Sequence, residues 1–175
     1  MEIKTEKFTL RPWKKEDSES LAENTNNRKI WVNLVDTFPH PYTLKDAGEW
    51  ISLCQRKEKQ KTTFAIEIDG KAVGSIGFEI KKGHHQKIAS IGYWLGEKYW
   101  GKGIVTEALK LVTKYAFETF NLVRIEAAVF KWNPASARVL EKAGYILEAE
   151  LKKRVFKDGK ITDELMYYLI NPNLK

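Results

Sequence analysis

Apolar and polar residues alternate along several stretches of the chain, and this period of two predicts β-strands. Residues 64–68 and 73–78 flank the dipeptide Asp69-Gly70, which favours a two-residue hairpin turn between them. The same pattern predicts further strands at residues 7–11, 87–95, 124–130, 146–156 and 161–169. A second such dipeptide, Asp158-Gly159, is expected to join the last two strands.

Apolar positions three and four residues apart predict helices over residues 18–25, 28–34, 44–57 and 103–120. Thr43 and Asp46 are typical of a capping box at the start of the third helix. A last helix is expected to have Asn133 as its N-cap and Pro134 as its first residue, and to end before Gly144. Two prolines should keep residues 38–42 extended.

The order of these elements argues for a mixed α/β fold in which helices pack on one mixed sheet. The chain of 175 residues has no repeat and no Pro- or Ser-rich linker, so residues 1–175 are expected to form a single domain. No apolar run approaches the roughly 18 residues of a membrane helix, and no membrane partner is expected. Cys54 is the only cysteine, which excludes an internal disulfide and favours a reducing, cytoplasmic location.

The net charge of +7 permits nucleic acid, an acidic partner or a polyphosphate ligand. Most basic residues are interspersed with acidic ones, as in residues 14–17 and 57–59, and this is typical of a solvated surface. Aromatic-basic interleaving and a helix-turn-helix pattern are both missing, so nucleic acid is not an expected partner. The sequence leaves open whether the chain is a monomer or a homodimer.

Two glycines one residue apart mark the most informative stretch of the chain. Gly101 and Gly103 follow the strand pattern of residues 87–95 and precede the helical pattern of residues 103–120. The unpaired N–H groups and the dipole at a helix N-terminus favour an anion, and glycines let the ligand approach the backbone. A site for a pyrophosphate-bearing cofactor is therefore one interpretation, and a plain turn is the other.

Two well-known nucleotide loops do not fit this turn. A triphosphate-binding P-loop needs Gly-Lys followed by Ser or Thr, whereas Gly103 is followed by Ile104. The dinucleotide fingerprint needs Gly or Ala three residues after Gly103, where this chain has Thr106. The turn by itself therefore indicates an anion site without identifying the ligand.

From about Phe8 to Leu169 the chain resembles the GCN5-related N-acetyltransferase superfamily, and within it the branch that acetylates N-terminal amines of ribosomal proteins. Residues 98–103 match its acetyl-CoA motif, Arg/Gln-x-x-Gly-x-Gly/Ala, except at Lys98, and residues 104–109 match the continuation. Residues 133–145 resemble the following helix, Asn-x-x-Ser-x-x-Val-Leu-Glu-Lys-x-Gly-Phe/Tyr. The resemblance implies a central, mostly antiparallel sheet of about seven strands flanked by helices, with a splayed strand pair that holds CoA.

The resemblance also implies how acetyl-CoA is held. Backbone N–H groups in the glycine turn would bind the pyrophosphate, the preceding strand would pair with the pantetheine arm, and Gly92 suits a bulge that splays this strand. A backbone N–H near Leu95 would polarise the acetyl oxygen. The implied cofactor-binding residues are Tyr93, Trp94, Leu95, Trp100, Gly101, Lys102, Gly103, Ile104, Val105, Thr106, Asn133 and Ser136. Core packing is the alternative for the aromatic side chains among them.

The proton-transfer residues have competing explanations. Many members of the superfamily protonate the leaving thiolate with a tyrosine where this chain has Leu140. Ser136, which the N-terminal-amine branch shares, is the candidate acid, and a structural residue in the first helical turn is the alternative. Glu79, Asp163 and Glu164 are candidate bases, and each also fits an ordinary surface carboxylate. An α-amine has a reference pKa of about 8 and is therefore partly neutral at cellular pH. It needs less help from a general base to lose its proton than the amine of a lysine does.

The resemblance implies an acetyl-CoA-dependent N-acetyltransferase that acts on a protein or peptide N-terminal amine by direct attack in a ternary complex. Phe38 and Tyr42 would shape the acceptor site, although aromatic packing under a loop explains them too. A small-amine acceptor such as a polyamine or an aminoglycoside antibiotic, and a CoA-binding sensor without turnover, are the alternatives. His84 and His85 are expected to be exposed and Cys54 to pack, and no metal is expected.

Overall fold

The computed structural model describes residues 2–173, which contain one sheet of eight strands in the order β1-β2-β3-β4-β5-β6-β8-β7. The strands are β1 (Ile3–Lys4), β2 (Thr9–Arg11), β3 (Thr63–Ile68), β4 (Lys71–Ile80), β5 (Ile88–Leu95), β6 (Arg124–Phe130), β7 (Ile146–Lys157) and β8 (Lys160–Ile170). β5 and β6 pair in parallel, whereas β1–β2, β2–β3, β3–β4, β6–β8 and β7–β8 are antiparallel. The predicted mixed, mostly antiparallel sheet is confirmed. The sequence missed β1, because its two residues are too few to show an alternating pattern.

Five α-helices flank the sheet in the described residues: α1 (Ser18–Thr25), α2 (Arg28–Trp31), α3 (Leu44–Cys54), α4 (Ile104–Phe120) and α5 (Pro134–Lys142). Two of them are shorter than predicted. After α2 the chain tightens into turns in which the N–H groups of Asn33 and Leu34 bond three residues back. After α3, residues 55–61 are all polar or charged and offer no apolar face for a helix to bury. None of the helices in residues 2–173 is long and apolar enough to cross a membrane.

The local cap and turn signals are confirmed. The Thr43 hydroxyl accepts a hydrogen bond from the N–H of Asp46, whose carboxylate accepts one from the N–H of Thr43. Asn133 caps α5, and Gly144 follows this helix with a φ of +94°. Both Asp-Gly turns have positive φ at both positions, as a type I′ hairpin requires.

The chain divides into two compact units. One contains the residues up to Gly77 together with Tyr93–Ala108, and the other contains Phe78–Gly92 together with the residues from Leu109 onward. Buried residues in the first unit form a core that includes Trp13, Leu21, Ile30, Tyr42, Ile51 and Trp94. Fully buried residues in the second unit include Leu109, Val112, Leu122, Ile125 and Leu140. The expectation that residues 1–175 act as a single domain stays a prediction.

Candidate functional site

The two glycines of the predicted anion loop adopt a left-handed conformation. Gly101 and Gly103 both have a φ of +75°, and a Cβ added at either would meet no atom within 4 Å. Backbone strain rather than crowding therefore disfavours other residues here. α4 begins at Ile104, and the Glu107 N–H donates to the Gly103 carbonyl in its first turn. The three N–H groups before Glu107 lie at the helix N-terminus, where they suit an anion.

At the end of β5, some main-chain N–H and C=O groups point towards β4 and the others point to the opposite edge of the strand. The Gly96 N–H donates to the Val73 carbonyl of β4 at 2.8 Å. The Trp94 carbonyl also faces β4, because a Cβ added at Gly74 would lie 2.7 Å from its oxygen. Successive residues of a strand direct their N–H and C=O groups to opposite edges. The N–H and C=O of Leu95 therefore point to the edge away from β4.

On that other edge β5 has a short ladder. Its parallel pairing joins residues 88–90 to residues 124–126, whereas β5 itself continues to Leu95 and β6 to Phe130. The ladder thus ends at Ser90, two residues before Gly92. Residues 93–95, which are expected to bind pantetheine, follow Gly92. The bulge at Gly92 stays a prediction.

The aromatic side chains near this edge divide between packing and exposure. Trp94 is 8% exposed and belongs to the core of the first unit, which supports the packing alternative for its side chain. Trp100 is 44% exposed, and its indole N–H donates to the Leu95 carbonyl at 2.7 Å. No sequence pattern predicts this hydrogen bond, since it joins a side chain to the main chain across a turn. Of the other predicted contacts in this unit, Ile104 and Leu95 are buried, Tyr93, Val105 and Thr106 are half-buried, and Lys102 is exposed.

Phe38 and Tyr42, the predicted acceptor residues, stack with their ring centres 4.7 Å apart. Tyr42 is 5% exposed, and burial raises the pKa of its hydroxyl. The segment bends instead of being extended as predicted, and its His40–Pro41 peptide bond is cis. Packing therefore accounts for Tyr42, whereas Phe38 is only half-buried.

In the second unit, the first turn of α5 holds two more predicted contacts. The Asn133 side chain accepts a hydrogen bond from the Ser136 N–H at 3.2 Å, so it acts as the predicted N-cap. Ser136 is half-buried, and Leu140, one turn further on, is fully buried. The first turn of α5 therefore leaves Ser136 partly accessible, whereas Leu140 packs into the core.

Asp163, one of the three candidate bases, already has a hydrogen-bond donor and two cationic partners. It accepts a hydrogen bond from the N–H of Lys153 at 2.9 Å and forms ion pairs with Lys131 and Lys152. The Lys153 hydrogen bond and the two cations hold the pKa of Asp163 well below its usual range. A carboxylate with so low a pKa accepts a proton poorly, which argues against Asp163 as the base.

Glu79 and Glu164 differ in their pairing. Glu164 accepts a hydrogen bond from the Nε of Arg154 at 3.0 Å. Glu79 is exposed on β4, and its carboxylate has no hydrogen bond or ion pair within residues 2–173. Its neighbours in a recess of about 320 Å³ are Ile80, Lys81, Lys82 and Ser90. Glu79 is therefore the candidate base with a free carboxylate among the described residues.

Within residues 2–173 no group of three or more His, Cys, Asp or Glu side chains could hold a metal ion. His84 and His85 are exposed, as predicted. Cys54 is 2% exposed, and burial raises its pKa to about 12. The thiol is therefore a packed group, as the sequence suggested.

A protein-family model described as an acetyltransferase (GNAT) domain matches residues 7–146. The chain belongs to the GNAT acetyltransferase family. The match includes both sequence blocks on which the resemblance rests, the glycine loop and residues 133–145. The GNAT chain is therefore an acyltransferase, and structures of this family bind acetyl-CoA or CoA.

Relatives of this GNAT chain cover nearly all of it. The probable N-acetyltransferase YjcK of Bacillus subtilis is 32% identical in an alignment of 178 positions that covers 98% of this chain and 98% of its own. The putative ribosomal N-acetyltransferase YdaF of Bacillus subtilis is 26% identical over 94% of this chain and 92% of its own. The spermidine N(1)-acetyltransferase of Escherichia coli is 27% identical over 86% of this chain and 79% of its own.

Solved structures confirm the GNAT fold. A GNAT-family acetyltransferase from Bacillus anthracis has a TM-score of 0.82 at 27% identity, covering 97% of this chain and 98% of its own. The ribosomal-protein-S5-alanine acetyltransferase of Vibrio fischeri has a TM-score of 0.86 at 24% identity, covering 100% and 99%. The microcin C7 self-immunity acetyltransferase MccE, in complex with acetyl-CoA and AMP, has a TM-score of 0.81 at 24% identity, covering 95% and 94%.

Proposed function

We propose that the chain is a single N-acetyltransferase domain that transfers the acetyl group of acetyl-CoA to the α-amine of a protein or peptide N-terminus. The observation that carries this proposal is the direction of the Leu95 N–H, on the edge of β5 away from β4 and just before the glycine loop. A fixed donor in this place suits the oxygen of a thioester. An anion loop directly after it suits the pyrophosphate of the same cofactor.

Acetyl-CoA would be held by main-chain groups more than by side chains. The N–H groups from Gly101 to Thr106 would bind the pyrophosphate, with Lys102 as an exposed cation beside them. The outward edge of residues 93–95 would pair with the pantetheine amides in the way that an added strand does. Asn133, in the second unit, is proposed to contact the cofactor arm in addition to capping α5.

Transfer requires a neutral acceptor nitrogen and a proton for the departing sulfur. In the ternary complex the nitrogen attacks the thioester carbonyl carbon, and the Leu95 N–H stabilises the oxyanion that forms. The C–S bond then breaks, and we assign Ser136 to give a proton to the thiolate while it regains one from solvent water, so that its hydroxyl is restored. We assign Glu79 to accept, through water, the proton that the nitrogen loses. Glu164 is the second choice of base because Arg154 already binds it.

The acceptor follows from the chemistry of the amine. The reference pKa is about 8 for an α-amine and about 10.4 for a lysine, so only the α-amine is substantially neutral at cellular pH. One free carboxylate acting through water is then sufficient. YdaF is a putative ribosomal N-acetyltransferase, while the Escherichia coli relative acts on spermidine, so a polyamine is the second candidate. Phe38 is proposed to line the acceptor site, with Tyr42 stacked behind it.

The test is incubation with acetyl-CoA and a panel of amines, read by mass spectrometry. The panel contains peptides with free N-termini, the same peptides with blocked N-termini, and spermidine. Acetylation of free α-amines supports the proposal, and acetylation of spermidine alone would move the assignment to small amines. No product from any amine would contradict both acceptor assignments.

A further inference from the structure

We propose that Trp100 is a positioning residue for acetyl transfer. Its indole N–H fixes the Leu95–Gly96 peptide group and thereby aims the Leu95 N–H at the acetyl oxygen. The inference rests on the proposed function, in which this N–H stabilises the oxyanion.

The Leu95–Gly96 peptide group is held from both sides. Its carbonyl accepts the indole N–H of Trp100 at 2.7 Å, and its N–H donates to the Val73 carbonyl at 2.8 Å. Two short hydrogen bonds at opposite ends leave this peptide plane little freedom to rotate. The Leu95 N–H belongs to the adjoining peptide plane, so a fixed Leu95–Gly96 plane restrains its direction.

The packing around Gly96 reinforces this arrangement. A Cβ added at position 96 would collide with the side-chain oxygen of Asn24 and lie 3.2 Å from the Val73 carbonyl oxygen. Asn24 is itself held, because its amide donates to the Ser20 carbonyl at 2.8 Å. The end of β5 is therefore packed against α1 on one side and against β4 on another. The indole N–H of Trp100 adds a hydrogen bond to the Leu95 carbonyl.

Burial alone does not account for a tryptophan at position 100. Its ring is 44% exposed, whereas the nearby Trp94 is 8% exposed. The indole N–H, by contrast, has a specific acceptor at the point where β5 ends. Because Trp100 directly precedes Gly101, the hydrogen bond ties the anion loop to the strand end.

The test uses isotope-edited infrared spectra of bound acetyl-CoA labelled at its carbonyl carbon, and it needs no acceptor. In the wild-type protein we expect the carbonyl stretch to move to lower frequency on binding, because the Leu95 N–H polarises the bond. Trp100→Phe keeps an aromatic ring and loses the N–H. We expect it to lose most of this shift while the Kd for acetyl-CoA, measured by calorimetry, changes by less than about threefold. Turnover with the best amine should fall by about tenfold or more, with the KM for acetyl-CoA nearly unchanged.

Trp50→Phe is the matched control. The indole N–H of Trp50 is buried without an acceptor within residues 2–173, so its removal deletes no hydrogen bond there, and wild-type behaviour is expected. A full infrared shift in Trp100→Phe overturns the positioning role, and so does a loss confined to acetyl-CoA affinity. Absence of the shift in the wild-type protein overturns the oxyanion role of Leu95 as well. In wild-type protein, slow hydrogen exchange of the Trp100 indole N–H is expected despite the exposed ring, and fast exchange also counts against the proposal.

Discussion

Arg11 and Asp17 form a buried, bidentate ion pair in which each terminal guanidinium nitrogen of Arg11 lies 2.7 Å from one carboxylate oxygen of Asp17. Arg11 is 3% exposed and Asp17 is 5% exposed, and Glu67 binds the remaining side of the guanidinium. Burial acts to lower the pKa of Arg11, but the hydrogen bonds to Asp17 and Glu67 outweigh it and raise the pKa. The pair joins β2 to the residue that precedes α1.

Asp17→Ala should destabilise the protein strongly, because Arg11 keeps its buried charge and loses the carboxylate that binds it in a bidentate way. We expect the free energy of unfolding to fall by about 3–5 kcal/mol, measured by urea denaturation. Glu49→Ala is the control, since it removes an exposed pair with Lys45 at 3.8 Å, and it should cost about 0.5 kcal/mol or less. A loss below about 1 kcal/mol for Asp17→Ala would show that the pair contributes little.

Gly103→Val should abolish acetyl-CoA binding while the fold survives. Valine at a φ of +75° carries backbone strain of about 1–2 kcal/mol, and its branched side chain would also occupy the space through which a ligand approaches the glycine backbone, so both effects oppose binding. Calorimetry measures the binding, and circular dichroism checks the fold. Gly83→Val is the matched control, because Gly83 also has a positive φ, +63°, with no atom within 4 Å of an added Cβ, but lies outside the glycine loop. Wild-type binding by Gly103→Val would refute the loop assignment.

Ser136→Ala should lower turnover while acetyl-CoA affinity is kept. The variant removes the proposed proton donor and retains the N–H that bonds Asn133, so the cap of α5 is preserved. We expect kcat to fall by about 100-fold, the lower end of the range for a general acid. Ser52→Ala, which removes a hydroxyl bonded to the Gly48 carbonyl within α3, is the control. Wild-type kcat in Ser136→Ala would return Ser136 to a structural role.

Cys54 should make the protein less stable at alkaline pH. Burial raises its pKa to about 12, above the unfolded value of about 8.5, so the folded state keeps a proton that the unfolded state releases. This contribution is fully present below about pH 8.5 and is lost as the pH rises towards 12. From about pH 8.5 to 10 the free energy of unfolding should fall by up to about 1.4 kcal/mol per pH unit. Cys54→Ala should show a flatter profile in this range, and an equal slope would contradict the assignment.

Local signals predicted most of the helices, strands and turns correctly. The two Asp-Gly turns, the Asn133 cap and Gly144 depend on backbone preferences that a few residues determine, so pattern was sufficient. The ends of α2 and α3 were overestimated, because a weak helical pattern continues past the residues that tertiary packing supports.

The surroundings of the site residues could not be predicted in the same way. Asp163 and Glu164 are adjacent carboxylates in the sequence, yet Asp163 accepts a hydrogen bond from the main-chain N–H of Lys153, whereas Glu164 accepts one from the side chain of Arg154. That difference depends on the register of β7 against β8, where the pairing shifts between Leu151 and Val155. Such register is a property of the whole sheet rather than of a short sequence pattern.

The proposed acetyl transfer to an N-terminal α-amine is tested with one peptide that has a free N-terminus and an internal lysine, compared with the same peptide blocked at its N-terminus. Both are incubated with acetyl-CoA, and the products are mapped by tandem mass spectrometry. We expect one acetyl group on the α-amine of the free peptide and none on the blocked peptide. Acetylation of the lysine in both peptides, or of neither peptide while spermidine is acetylated, would contradict the claim.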